Sequence, residues 1–283
     1  MLKLIKSLFV ATCSLFIFSG CVSLYDPVKI PEFSKTIKVF PSSKNVSTMT
    51  ETPAGDYLVD DSQVFLAGKE RAGNLFGAMG IMVDRSLNGE KRATANAKLN
   101  VKFHSILSEL IENTENLSTF KFQTVKNAKS ADLILLPSVR LVKDPNSTTY
   151  PEFRITVRFI DPSSKEEVSK NYYYFGTQYH PLVGVNSWAD NNAEILDENA
   201  RSAFRFLLEI IASDARGDYQ GFASLKEYRY IYYKHPSMSE YGKVAVVDEY
   251  PNHVLGAAVH QDKIIHFSVT LIPKELIDIS GNR

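Results

Sequence analysis

Sulfur chemistry is nearly missing from this chain. Of its 283 residues only two are cysteine, Cys13 and Cys21, and none follows position 21. The remaining length therefore holds no disulfide, no cysteine-ligated zinc and no thiol nucleophile. Net charge is missing as well: 32 basic residues balance 32 acidic ones, for a formal charge of +0. Without a basic excess, nucleic acid is not an expected partner. The apolar run Leu8–Phe18 has about 11 residues, whereas a membrane-spanning helix needs about 20. No H-E-x-x-H, no G-x-S-x-G and no phosphate-binding glycine loop occurs, so the commonest hydrolase and nucleotide signatures are excluded.

What is present begins at the N-terminus. Lys3 and Lys6 precede the apolar run, and Phe18-Ser19-Gly20-Cys21 closes it. A basic start followed by an apolar stretch of this length is the pattern of a secretory signal. With Ser19, Gly20 and Cys21 at its end, it resembles the lipobox of bacterial lipoprotein signal peptides; Phe18 stands where that family most often has Leu. The resemblance covers residues 1–21 only. It implies cleavage before Cys21 and acyl chains, palmitate among them, on the cysteine thiol and amine. Several acyl chains together give stable anchoring, which a single myristoyl chain does not. Val22 in place of Asp implies, by the family's sorting rule, delivery to the periplasmic face of the outer membrane. With Cys13 removed and Cys21 acylated, the mature chain would carry no free thiol.

Hydropathy periodicity divides the rest. Residues 21–53, rich in Ser, Thr, Lys and Pro, read as a lipidated tether with one short strand at Thr36–Phe40. Residues 54–220 read as an α/β domain that opens with a strand through Val64-Phe65-Leu66. Leu99, Phe103, Ile106, Leu107 and Leu110 fall at helical spacing within 94–114. Leu196, Ala200, Ala203, Phe204, Leu207, Leu208 and Ile211 do so within 191–215. Phe153, Ile155, Val157 and Phe159 alternate with Arg154, Thr156 and Arg158, predicting a strand with one buried and one wet face. The turn Asp161–Ser164 and the return strand Val168–Phe175 complete a hairpin. Residues 221–283 read as a β-rich C-terminal domain or extension of short strands, SH3-like in spacing. The expected class is α+β: a mixed, largely antiparallel sheet covered by two main helices, then this small β-rich region. The element order is similar to small α/β domains of envelope lipoproteins of the curli-assembly and peptidoglycan-synthase-activator types. Fold likeness alone assigns no activity.

Candidate sites are few. His235, His253, His260 and His266 match no metal-ligand spacing, and Asp60 and Asp61, being adjacent, would point to opposite faces of a strand. No metal, no cofactor and no catalytic residue is expected. Gly73 and Gly77 form a G-x-x-x-G pair with Gly80 one turn on, a small-residue face suited to close approach of another protein, a second copy or a bilayer surface. The plainer expectation is a tightly packed internal segment. Lys91, Arg92, Lys98 and Lys102 precede or open the first helix and Glu109, Glu112 and Glu115 end it, opposite to what the helix dipole favours. The acidic start of the second helix would offset this if the two lie close, which is the plainer expectation. The alternative is that Arg85–Lys102 forms a basic patch meeting an anionic partner such as lipid headgroups. Tyr228, Tyr230 and Tyr232 share a strand face, and Trp188 follows the apolar loop Tyr179-His180-Pro181-Leu182. Both are candidate contact surfaces, though tyrosine rows more often pack across strands. The functional expectation is a non-enzymatic, lipid-anchored envelope protein that works by protein–protein contact or self-association as an accessory or assembly factor. A peptidoglycan- or lipid-binding module is the alternative.

Overall fold

Period-2 alternation over residues 148–160 builds the longest strand, and the sheet grows outward from it on both sides. A computed structural model describes residues 31–33, 36–42, 57–59, 64–67, 99, 101–113, 121–143, 148–165, 167–182, 184–219, 228–234, 241–260 and 263–278. In chain order the elements are β1 (Thr36–Pro41), β2 (Tyr57–Val59), β3 (Val64–Ala67), α1 (Phe103–Asn113), β4 (Lys121–Thr124), β5 (Leu133–Lys143), β6 (Thr148–Ile160) and β7 (Glu167–Phe175). Then come β8 (His180–Pro181), α2 (Glu194–Arg216), β9 (Tyr230–Lys234), β10 (Tyr241–Glu249), β11 (His253–His260) and β12 (Lys263–Pro273).

Among the described residues, twelve strands form one mixed sheet: nine follow the path β2-β3-β5-β6-β7-β12-β11-β10-β9, and β1, β4 and β8 pair off it, β8 with β6. β5 pairs along its whole length with β6, while its other edge is shared: β1 lies parallel to its first half and β3 to its second. β4 closes that side, parallel to β1. β1 lies inside the stretch read as a tether, yet Ile37 and Val39 are fully buried, so the packed body takes in part of that stretch. The C-terminal strands extend the same sheet, because β12 runs parallel to β7 with Val269 opposite Tyr172. The protein is thus α+β, two helices on a large mixed sheet.

Both helices pack on one sheet face. Their buried stripes are Phe103, Ile106, Leu107, Leu110 and Ile111 on α1, and Leu196 through Ala215 on α2; they meet Leu133, Leu135, Phe153, Ile155, Val157 and Phe159. Each such side chain stabilises the fold by roughly 1.5–3 kcal/mol before entropy is set against it. α1 is shorter than its periodicity predicts. Leu99 and Val101 are buried ahead of Phe103 and outside the helix, with a Val101 N to Leu99 O bond of 2.8 Å. Leu99 serves the core without being helical, a distinction periodicity does not make. α2 ends on Gly217, left-handed at φ 83°, whose N–H closes on Asp214 O at 2.9 Å.

The face opposite the helices departs from expectation. It carries Ser138, Arg154, Thr156, Asn171 and Tyr173 in neighbouring rows. Alternation predicts a wet Thr156, but it is 1% exposed and donates to Asn171 Oδ1 at 2.7 Å. Arg154 Nε donates to Ser138 Oγ at 3.1 Å. Farther along this face, the Tyr233 ring lies over Gly242, where an added Cβ would come within 2.5 Å of the ring. Tyr233 then packs with Phe175, Val244 and Ile272.

The β6–β7 turn is held by Asp161, whose Oδ1 accepts from Ser163 N at 2.7 Å, Ser163 Oγ at 2.6 Å and Ser164 N at 2.9 Å. These donors, the Ser163 hydroxyl foremost, lower its carboxyl to about 2. A depressed carboxyl contributes stability that is present above the unfolded aspartate value of about 4. That contribution is lost as pH falls through about 2. An NMR titration of the Asp161 side-chain carbon should give a midpoint near 2; a midpoint of about 4 would contradict the turn's donor geometry.

Candidate interaction surfaces

Two bulges, at Val246/Asp248 in β10 and Ala257/Val259 in β11, bend the last strands of the sheet. One cross-strand row runs Tyr172, Val269, Ala257, Ala245, Tyr230 across β7, β12, β11, β10 and β9. It starts under α2, where Tyr172 is core. It ends on β9, where the same face carries tyrosines in place of aliphatic residues.

Tyr228, Tyr230 and Tyr232 all lie on that face. Tyr228 and Tyr230 are half-buried and meet edge to face, their centroids 6.2 Å apart, above Ala245 and Ala257. Tyr232 is 44% exposed, as is Tyr241 at 46% on the neighbouring strand. Register places Tyr232 opposite Lys243 and Lys234 opposite Tyr241, and Lys243 Nζ stands 4.2 Å above the Tyr230 ring. Sequence reasoning missed Lys234, Tyr241 and Lys243. The available signal was the alternation in Tyr-Gly-Lys-Val-Ala, which puts Tyr241 and Lys243 on one side of a strand.

Trp188 takes a different part. It is fully buried, donates Nε1–H to Thr149 O at 3.0 Å and meets the His180 ring edge-on at 4.8 Å. His180 Nδ1 lies 2.9 Å from Asn186 O. Trp188 therefore anchors the 176–190 loop, and what the loop presents is Val185, 84% exposed between Gly184 at φ 115° and Asn186 at φ 54°.

A further aromatic cluster lies on the flank of α2. Phe206 sits off the buried stripe and is 42% exposed. Its ring stacks on Tyr174 with centroids 6.4 Å apart and planes 6° from parallel, and it lies 5.8 Å from His253, which is itself 5.5 Å from Tyr174. Burial among these rings lowers the His253 pKa, so the imidazole is neutral there near pH 7. A phenylalanine outside an otherwise regular apolar stripe was the available sequence signal.

Of the basic residues that precede or open the first helix, Lys102 is among the described ones, and it lies near the acidic start of α2. Lys102 lines one cleft with Glu194, Asp197 and Glu198, and Arg201 joins Asp197 Oδ2 at 2.6 Å to Glu109 Oε2 at 2.8 Å. A buried polar group ties α2 to β7: Asp214 Oδ2 accepts from Lys170 Nζ at 2.7 Å and from Tyr172 OH at 2.5 Å. Burial first, and the Asp214 charge second, push the Tyr172 phenol well above its usual range. Among the described residues no three ligand-type side chains group as a metal site, and no helix is long and apolar enough to cross a membrane. Cys21, Gly73, Gly77 and Gly80 lie outside the described residues, as do Lys91, Arg92, Lys98, Asp60, Asp61 and His235.

Fold and surfaces together define an α+β sheet protein that exposes aromatic side chains on rigid elements. Comparison of the chain with known protein families, with curated proteins and with solved structures finds no match in any of the three.

Proposed function

We propose that this is a lipid-anchored envelope protein, attached through acylated Cys21 at the periplasmic face of the outer membrane. It acts there without catalysis, by protein–protein contact, as an accessory or assembly factor. The anchoring half of this reading rests on Lys3, Lys6, the apolar run and Ser19-Gly20-Cys21. The contact half rests on one observation, the Tyr174–Phe206–His253 cluster. Phe206 leaves much of its ring in solvent beside two others, where a partner's apolar side chain would complete the packing. The finer fold reading, an SH3-like C-terminal region, draws support from the chain's return after β12. A 3₁₀ turn at Lys274–Leu276 brings Ile277 into an antiparallel bridge with Tyr233, and Asp278 N bonds to Tyr232 O at 2.9 Å.

The test is photo-crosslinking in cells, with a benzophenone side chain at position 206. A discrete protein adduct from position 206, absent when the probe sits at exposed Ser202 on the same helix, is the expected result. Equal or absent adducts at both positions would overturn the contact surface.

A further inference from the structure

The tyrosine face of β9 and β10 has a composition the protein-contact reading leaves unused. Five side chains make a checkerboard: Lys234 opposite Tyr241, Tyr232 opposite Lys243, and Tyr230 next along the strand with the Lys243 ammonium above its ring. Same-face neighbours on a strand are about 7 Å apart and cross-strand partners about 5 Å, so the five cover one continuous patch. Behind them Ala245 and Ala257, with Val247 and Val259 packed alongside, give an apolar floor. Among the described residues of β9 and β10, the carboxylate on this face is Asp248, past the bulge and opposite Leu255, at the end of β10 away from Tyr241 and Lys243. Glu249 at the strand end is held by Arg229.

We infer that this patch, formed by Tyr230, Tyr232, Tyr241, Lys234 and Lys243, rests on an anionic phospholipid surface. The inference builds on the proposed Cys21 anchor and names a second contact with the same bilayer. Tyrosine is the side chain that settles at headgroup depth, ring toward the acyl chains and hydroxyl toward water, and lysine reaches lipid phosphates from a long apolar stem. Anionic lipid complements Lys234 and Lys243, the charged side chains among these five. A glycan strand fits less well. The ring face a sugar would stack on at Tyr230 is occupied by Lys243 Nζ, and Tyr228 meets Tyr230 edge to face at 63° instead of continuing a flat platform. Chain length agrees. Nine residues lie between Cys21 and Pro31, where the described body begins, so ten chain steps join the two. Fully extended they reach about 35 Å, so a body held at Cys21 stays beside the bilayer at high effective concentration. One lipid anchor plus a basic patch is a known way of making peripheral attachment stable.

The experiment uses the full-length protein purified from cells and reconstituted through its own anchor. Vesicles of phosphatidylethanolamine with phosphatidylglycerol are compared with neutral phosphatidylcholine vesicles. Lysine reactivity toward an amine-acylating reagent is read residue by residue by mass spectrometry. Lys234 and Lys243 should be labelled at least about fivefold more slowly on the anionic vesicles, the factor a single lysine's attraction to such a surface supplies. Exposed Lys121 on β4 should not change, and high salt should remove the difference. Tyr232→Ala should weaken the protection of both lysines without altering the fold, since the ring is exposed. Equal labelling on both vesicle types overturns the patch and leaves the anchor standing. Protection by soluble poly-glutamate as strong as that by vesicles assigns the patch to an acidic protein and overturns the lipid. A protein that leaves both vesicle types overturns patch and anchor together; one that stays only on anionic vesicles keeps the patch and sinks the anchor.

Discussion

Replacing Asp214 with Ala should cost about 3–5 kcal/mol of folding stability, more than any surface change in this protein. Asp214 sits in the last turns of α2, and its Oδ2 receives both Lys170 Nζ and Tyr172 OH from β7. The side chains of Lys170 and Asp214 are 7% and 5% exposed, so neither charge has water to fall back on. Removing the carboxylate leaves an ammonium buried without its counter-charge and a phenol without its acceptor. That desolvation penalty outweighs the small dispersion energy forfeited by truncating the side chain. Lys170→Met combined with Asp214→Leu should recover most of the loss, because both charges leave together. Urea denaturation of the three proteins reads the effect directly. A loss under about 1 kcal/mol for Asp214→Ala would mean that water reaches the pair.

Phe204→Ala should be comparably damaging, at about 3–5 kcal/mol. Phe204 is fully buried and is the ring on which three elements meet. It lies edge-on to Phe103 of α1 at 5.7 Å and to Phe153 of β6 at 5.9 Å, both at 84°. Truncation opens a cavity that neither backbone can close, since α1 and β6 are each held by their own ladders. Phe206→Ala, two residues away and 42% exposed, should cost less than about 1 kcal/mol. The pair separates packing from presentation on one helix: thermal or urea midpoints fall for position 204, while partner contact falls for position 206. Similar stability losses at both positions would contradict the division of α2 into a buried stripe and an exposed contact residue.

Much of this architecture can be read from local pattern, and the parts that cannot have a common cause. The α2 stripe from Leu196 to Ile211 and the hairpin around Asp161 are local, so periodicity and turn chemistry find them within a few residues. β1 is different. Ile37 and Val39 alternate over only a few residues set among Ser, Lys and Pro, and what makes them a core strand is parallel pairing with β4 and β5, more than eighty positions away. The tyrosine face is likewise decided at a distance. Tyr172 and Tyr230 stand in the same cross-strand row, one under α2 and one beyond it, and nothing in either local sequence says where the helix stops. Trp188 reads as a presented aromatic because it follows an apolar loop. The Thr149 carbonyl that draws its indole inward belongs to β6, far off in sequence.

One experiment reads both the proposed attachment at Cys21 and the proposed contact at Phe206. Cells expressing the full-length chain with a photo-crosslinking side chain at position 206 are compared with cells in which Cys21→Ser is added, and each protein is scored for palmitate label and for adducts. The expected result is a labelled, membrane-bound protein giving one discrete adduct, and an unlabelled Cys21→Ser protein in which that adduct falls at least tenfold. A chain that carries no label, or one whose adduct survives unchanged without the acyl anchor, would contradict a contact protein held to its site of action by lipid.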